Sequence, residues 1–316
     1  MKFKQACLSC YLVFLLSVLI FNCPAQPGSE NDKWAFAVLA DPRNIHAGFE
    51  VALEEVRDHK ALGSVSPAKF VLLCGDYDPL IKNLEKFQTV FANVRDRPQL
   101  LPVIGGHDLG LSDFNESVAI VKNLKHATRR DDKLNYFVDY HNVRIIAVNA
   151  YSDYNNDLGE DGCLTSKGIE WIDASISSAA HADHIFIAMH EPCFPRYRHV
   201  NDSFNVCREK RNAFWDMVVS YGDKVKAVFV AHTHYYYRMR VKDPRSPDAD
   251  DPKAYPDQED GIYQIDCGAC GNGKRTTVVY IEIVGKDIFF KVVDVDDGPP
   301  HGDFSLIDEW EISAAQ

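Results

Sequence analysis

Five short apolar runs of this chain each end in an acidic residue or a histidine. Residues 34–40 run into Asp41-Pro42-Arg43, and residues 70–74 into Gly75-Asp76. Residues 100–104 are followed by Gly105-Gly106-His107-Asp108, and residues 185–189 by His190-Glu191. Residues 225–230 lead into Ala231-His232-Thr233-His234. Short apolar runs bounded by glycine or polar residues read as buried strands. In open α/β sheets the carboxyl ends of the strands line the ligand crevice. The recurrence therefore points to a fold that carries five strand ends to one place.

A further apolar run covers residues 143–148, and helical patterns lie between the runs. Phe49, Ala52, Leu53 and Val56 fit a helical period, as do Leu84, Phe87 and Phe91, and later Phe214, Met217, Val218 and Tyr221. Thr165 is an N-cap candidate ahead of Ile169, Trp171 and Ile172. Strands alternating with helices predict a layered α/β fold. After residue 261 the pattern becomes strand, turn, strand over 262–267, 276–283 and 288–293, which predicts antiparallel strands closing the second half. Residues 241–260 are polar and proline-rich and read as a surface loop insertion, and residues 296–316 as a C-terminal tail. No internal repeat is visible.

The chain has 316 residues, with 34 Lys+Arg against 46 Asp+Glu, a formal charge of −12. With no basic block, a nucleic-acid backbone is not an expected partner. Lys2 and Lys4 precede an uncharged apolar run over residues 6–21, and small residues suited to cleavage stand near Ala25. Residues 1–25 thus read as a signal peptide, too short for the roughly 20 apolar residues of a membrane span. The expectation is export to a periplasm, the cell surface or the medium, with no membrane span after the leader is removed. Lipid attachment at Cys23 is a weaker alternative, because Ile20-Phe21-Asn22 before it are not small. Export places the later cysteines in an oxidising compartment. Cys193 with Cys207, and Cys267 with Cys270, are the candidate disulfides.

The residue types at the strand ends suit metal chemistry. A carboxylate can bridge two cations and imidazoles can complete their shells. Two metal ions about 3.5–4 Å apart clamp both oxygens of an in-line phosphoryl displacement, and mixed histidine–carboxylate sets suit zinc, iron or manganese. In order and placement the motifs resemble the calcineurin-like metallophosphoesterases, including the purple-acid-phosphatase-like members. That family's pattern is D-x-H, G-D, G-N-H-D/E, a lone H, then G-H-x-H. LTSKGIEWIDASI at 164–176 and GIYQIDCGACGNG at 261–273 add to the likeness, which covers about residues 33–295. The resemblance implies a four-layer α/β/β/α sandwich holding one or two divalent or trivalent ions (manganese, zinc or iron). It implies hydrolysis of a small-molecule phosphate mono- or diester by a metal-bound hydroxide. Asp76 would bridge the ions, with Asp41 and His234 on one and His190 and His232 on the other. His107 would donate to the substrate or leaving-group oxygen, oriented by Asp108.

The chain departs from that pattern at two ligand positions. Arg43 stands where the first motif has histidine, and Gly106 where the third has asparagine; Ala231 for glycine is a smaller change. Arginine cannot ligate a metal, but its fork matches phosphate oxygens and can clamp them. His46 is a substitute-ligand candidate, or else a helix-start residue. Each ion is left with three side chains, a number that suffices in many catalytic zinc sites. The alternative function is a decayed relative that binds a phosphate- or glycan-type ligand without turnover. A third reading takes Cys267-Gly-Ala-Cys270 as a thiol–disulfide motif, although it follows a strand and enters a glycine turn. The acidic loop 157–161 is a calcium candidate without EF-hand spacing. Tyr235, Tyr236 and Tyr237 are expected to alternate between core and crevice rim. Oligomeric state is left open.

Overall fold

Strands buried on both faces carry apolar side chains at nearly every position, and the continuous runs follow that rule. A computed structural model describes residues 33–271, 276–295 and 304–313. The elements begin with β1 (Lys33–Leu39), α1 (Ala47–Asp58), β2 (Ala68–Cys74), α2 (Leu80–Val90), β3 (Gln99–Val103) and α3 (Leu111–Lys122). There follow β4 (Ala127–Arg129), β5 (Tyr136–Tyr140), β6 (Val143–Ala147), the short pair β7 (Gly159–Glu160) and β8 (Cys163–Leu164), and α4 (Ser166–Ser177). Next come β9 (His184–Ala188), α5 (Arg208–Ser220), β10 (Val225–Val230), β11 (Tyr236–Val241) and α6 (Pro247–Asp250). β12 (Ile262–Cys267), β13 (Thr276–Val284), β14 (Asp287–Val295) and β15 (Phe304–Ile312) complete the described chain.

Two large sheets form, in the orders β15-β14-β13-β1-β2-β3 and β11-β12-β10-β9-β6-β5-β4. In the first, β1, β2 and β3 are parallel. In the second, β6, β9, β10 and β12 are parallel. Side chains alternate between the two faces of a strand, and this sorts the apolar runs into two cores. Phe186 and Ala188 of β9 enter one core while Ile185 and Ile187 enter the other. In β10, Ala227 and Phe229 oppose Val228 and Val230 in the same way. Between the sheets, Phe36 of β1 meets Phe186 and Phe229 edge-on at 5.2 and 6.1 Å. The outer face of the second sheet is covered by α4 and α5 through Ile172, Ile176, Phe214 and Trp215. The first sheet is covered by α1, α2 and α3 through residues such as Phe49, Leu53, Phe87 and Phe114. Helices, sheet, sheet and helices make the four-layer α/β/β/α sandwich.

Three details differ from the sequence reading. The strands after residue 261 are divided between the sheets: β12 lies parallel to β10, while β13 runs antiparallel to both β1 and β14. The segment read as a tail contains β15, antiparallel to β14, with Trp310 stacked on Phe290 at 4.4 Å. Cys207 bonds to Cys163, their Cα atoms 6.3 Å apart, rather than to Cys193. Cys193, Cys267 and Cys270 are free and buried. Cys163 arrives beside Cys207 because β8 packs against α5, a contact that sequence proximity to Cys193 does not disclose. Burial pushes the Cys267 thiol up and Cys270 to about 12, far from the thiolate that disulfide exchange needs. With no exposure to solvent, neither thiol is placed for the exchange that the thiol–disulfide reading requires.

Residues 241–260 include α6 and are tied down from below. The buried Arg196 guanidinium donates to the carbonyls of Ala254, Asp248 and Ala249 at 2.6, 3.2 and 3.3 Å. The leader expected over residues 1–25 lies outside the described residues. Among the described residues no helix is long and apolar enough to cross a membrane.

Candidate metal centre

The turns after β1, β2, β9 and β10 meet at one edge of the sandwich, and the turn after β3 joins them at the rim. His234 Nε2 lies 3.3 Å from Asp41 Oδ1, and His190 Nε2 lies 3.5 Å from Asp76 Oδ1. Each contact joins a residue following a first-sheet strand to one following a second-sheet strand. The His232 backbone N–H donates to Asp41 Oδ2 at 3.2 Å. His107 has half of its side chain exposed, with Nε2 3.8 Å from Asp76 Oδ2. Its backbone N–H donates to Asp76 Oδ1 at 3.0 Å.

The backbone bends sharply to achieve this. Asp41, Asp76, His232 and His234 have φ of 49°, 52°, 72° and 61°. The left-handed region costs a non-glycine residue roughly 1–2 kcal/mol, and such strain collects at functional sites. Here it turns side chains out past the strand ends. Gly75 has φ 82°, and a Cβ on it would collide with His190 Nδ1 and with Gly105. Only glycine lets the two sheets approach here.

Hydrogen bonding orients the imidazoles. His190 Nδ1 lies 2.8 Å from the Cys74 carbonyl. A carbonyl only accepts, so Nδ1 carries a proton and Nε2 faces the carboxylates. Burial opposes protonation of His190, but Asp76, Asp41 and Glu191 together outweigh it and raise the imidazole to about 10. His232 moves the other way, to about 2, through burial and then the neighbouring His190, His199 and His234. Burial also lifts Glu191 to about 7, against the opposing pull of His190. Carboxylates thus dominate around His190, and cationic neighbours around His232.

Four buried side-chain atoms here have no hydrogen-bond partner: Asp41 Oδ1, His190 Nε2, Glu191 Oε2 and His232 Nε2. An unsatisfied buried polar atom costs about 1–3 kcal/mol, so four in one cleft demand an explanation. Ligand atoms of Asp41, Asp76 and His190 lie within 4.8 Å of one another, and so do those of His190, Glu191 and His232. These nitrogen and carboxylate donors fit zinc, iron or manganese.

The other sequence candidates have different surroundings. Arg43 Nε is paired with Asp78 Oδ1 at 2.8 Å. Asp108 is fully buried and accepts from the backbone N–H groups of Asp76, Tyr77 and Gly105 at 2.7, 2.7 and 2.8 Å. Its hydrogen bonds brace the two loops, and none of them goes to His107. Burial and the Asp76 carboxylate push Asp108 upward, while the N–H donors favour its charged form. His46 caps α1, its Nδ1 accepting from Gly48 N at 3.4 Å. Asp157 of the acidic loop pairs with Arg130 at 2.8 Å. The three tyrosines alternate: Tyr235 is exposed, Tyr236 half-buried, and Tyr237 buried with its hydroxyl donating to Phe194 O at 3.1 Å.

Four participants escaped the sequence reading. Glu191 adjoins His190, but adjacency alone does not say that both side chains face the cleft. Tyr151 donates to Glu191 Oε1 at 2.7 Å. Arg198 bridges His234 Nδ1 and His199 Nε2 at 3.0 and 3.1 Å. The His199 ring lies 3.9 Å from that of His232. Tyr151, Arg198 and His199 stand on loops, where no periodicity signals their direction.

This two-sheet architecture, with acidic and imidazole groups at its strand ends, is the fold of the calcineurin-like metallophosphoesterases. Among solved structures, the chain is similar to purple acid phosphatase PPD1 from yellow lupin (Lupinus luteus) seeds, with a TM-score of 0.62 and 12% identity. That match covers 91% of this chain and 55% of the lupin chain, so this chain spans about half of it. It is also similar to PhoD, with a TM-score of 0.61 and 11% identity over 90% of this chain and 70% of that one. No family model matches the sequence, and no curated protein matches it.

Proposed function

We propose that this protein is an exported, metal-dependent phosphoesterase that hydrolyses a phosphate mono- or diester of a small molecule. The observation that carries the reading is four buried, unpartnered ligand atoms in two groups that share His190, at strand ends of this fold. In this reading Asp76 would help to hold bound cations. Asp41 and His234 serve one, and His190 and His232 the other. Divalent ions held there would supply Lewis-acid chemistry at a phosphoryl group. His107 stands at the exposed rim, within reach of Asp76, where it can donate to a departing oxygen. Arg43, two residues after Asp41 and paired with Asp78, would add a cation for a phosphate oxygen. Export rests on the apolar leader at residues 1–25.

The test is turnover of p-nitrophenyl phosphate and bis(p-nitrophenyl) phosphate after loading the chelator-treated protein with manganese, zinc or iron. Activity should require metal and vanish in His190→Ala. His107→Ala should lose about 10²–10⁴-fold in kcat. A metal-loaded, folded protein silent on both esters and on a wider phosphoester panel would leave only the binding role.

A further inference from the structure

We propose that Glu191 is a ligand of the cation held by His190 and His232, and that Tyr151 positions it. The inference rests on the metal-centre reading above and adds a carboxylate to it. Glu191 has 4% of its surface exposed. Its two oxygens have different surroundings. Oε1 accepts the Tyr151 hydroxyl at 2.7 Å. Oε2 has no hydrogen-bond partner and lies 3.3 Å from His232 Nε2, which has none either. With His190 Nε2, these atoms form a group within 4.8 Å of one another. A carboxylate serving only as a structural brace would bond through both oxygens, as Asp108 does. Glu191 is braced through one and leaves the other for a cation.

The surroundings are shaped around this side chain. Gly162 has φ 85°, and a Cβ there would come within 2.8 Å of Glu191 Cγ. The glycine therefore makes room for the glutamate. On the opposite loop, Gly106 offers no side chain. A Cβ at 106 would lie 3.3 Å from the Tyr151 hydroxyl, so the phenol stands beside the space that a longer residue at 106 would enter. The residues that would hold the cation at this position become Asp76, His190, Glu191 and His232. Gly106 therefore does not leave that position with only three side chains.

The experiment is titration of the full, chelator-treated protein with Mn²⁺ and with Zn²⁺ by calorimetry, with bound metal counted by elemental analysis. Glu191→Gln keeps the volume and an acceptor for Tyr151. It should weaken one cation by more than about 100-fold, beyond the 10–100-fold typical of outer-shell losses. Tyr151→Phe should fall within that 10–100-fold range. If Glu191→Gln does not fold, judged by its thermal transition, Glu191→Asp keeps the charge but withdraws the oxygen, and should show the same loss. Restored affinity in the triple variant Gly106→Asn, Tyr151→Phe, Glu191→Gln would locate the effect at this cation position. Wild-type affinity and stoichiometry in Glu191→Gln, with binding lost in Asp76→Asn, would overturn the inference and leave the metal centre standing. A wild-type protein that takes up neither metal nor iron would remove both.

Discussion

Asp108 is the residue whose structural role departs furthest from its sequence reading, and it gives a quantitative test. Its carboxylate accepts three backbone N–H groups, from Asp76, Tyr77 and Gly105, with no exposure to solvent. Asp108→Ala strands all three donors. At about 1–3 kcal/mol for each unsatisfied buried group, eased where water enters, the loss should be about 3–6 kcal/mol. Asp108→Asn keeps the shape. Oδ2 takes two of the bonds and Oδ1 one, so the better amide orientation keeps two and sets its NH₂ against Tyr77 N–H. That loss should be about 2–3 kcal/mol. Urea denaturation of the metal-free protein at neutral pH, with unchanged m-values, measures both. The predicted order is wild type, then Asn, then Ala. An Asn variant within about 0.5 kcal/mol of wild type would show that the carboxyl is protonated and already donating, refuting the charged-brace account. An Ala variant losing less than about 1 kcal/mol would refute the brace itself. Because Asp76 N is one of the three donors that Asp108→Ala strands, that variant should also weaken metal binding by about 10–100-fold.

Three other outcomes follow from the geometry. His184, buried at the start of β9, is lowered to about 4 by burial. The unfolded chain binds its proton near pH 6.5 and the folded chain does not, so stability is full above about 6.5 and falls as pH drops toward 4. The loss is about 3 kcal/mol, and His184→Leu should flatten that slope in thermal melts. Reducing Cys163–Cys207, or changing Cys163→Ser, opens a loop of sequence separation 44. Chain entropy puts the cost at about 4 kcal/mol, read as a lower denaturation midpoint with and without reductant. Gly75→Ala should lower both stability and metal uptake, since its Cβ strikes His190 and Gly105; unchanged metal content would contradict the close approach described here.

The apolar runs were readable because strands covered on both faces need no polar positions. Their polar ends were readable because parallel strands place chemistry at their carboxyl ends. That is why Asp41, Asp76, His190, His232 and His234 stood out in the sequence as strand-end residues, by type and position. The same logic misses β4, β5 and β11. β11 alternates polar and apolar residues at a sheet edge, and the other two are short or half-exposed. It also misses β15, whose partner is fixed by Trp310 lying on Phe290 and by Arg238 reaching Asp308 at 2.6 Å.

The chain's own order of residues determines which strands are buried and which ends carry carboxylates and imidazoles, since both follow from local pattern. Tertiary structure decides the rest: the Cys163–Cys207 pairing, Asp108 as a brace, and Glu191 aimed at His232 from behind Tyr151. Those outcomes depend on distances between segments far apart in sequence, and on left-handed turns tolerated only where packing on both sides holds them. No local pattern encodes either one.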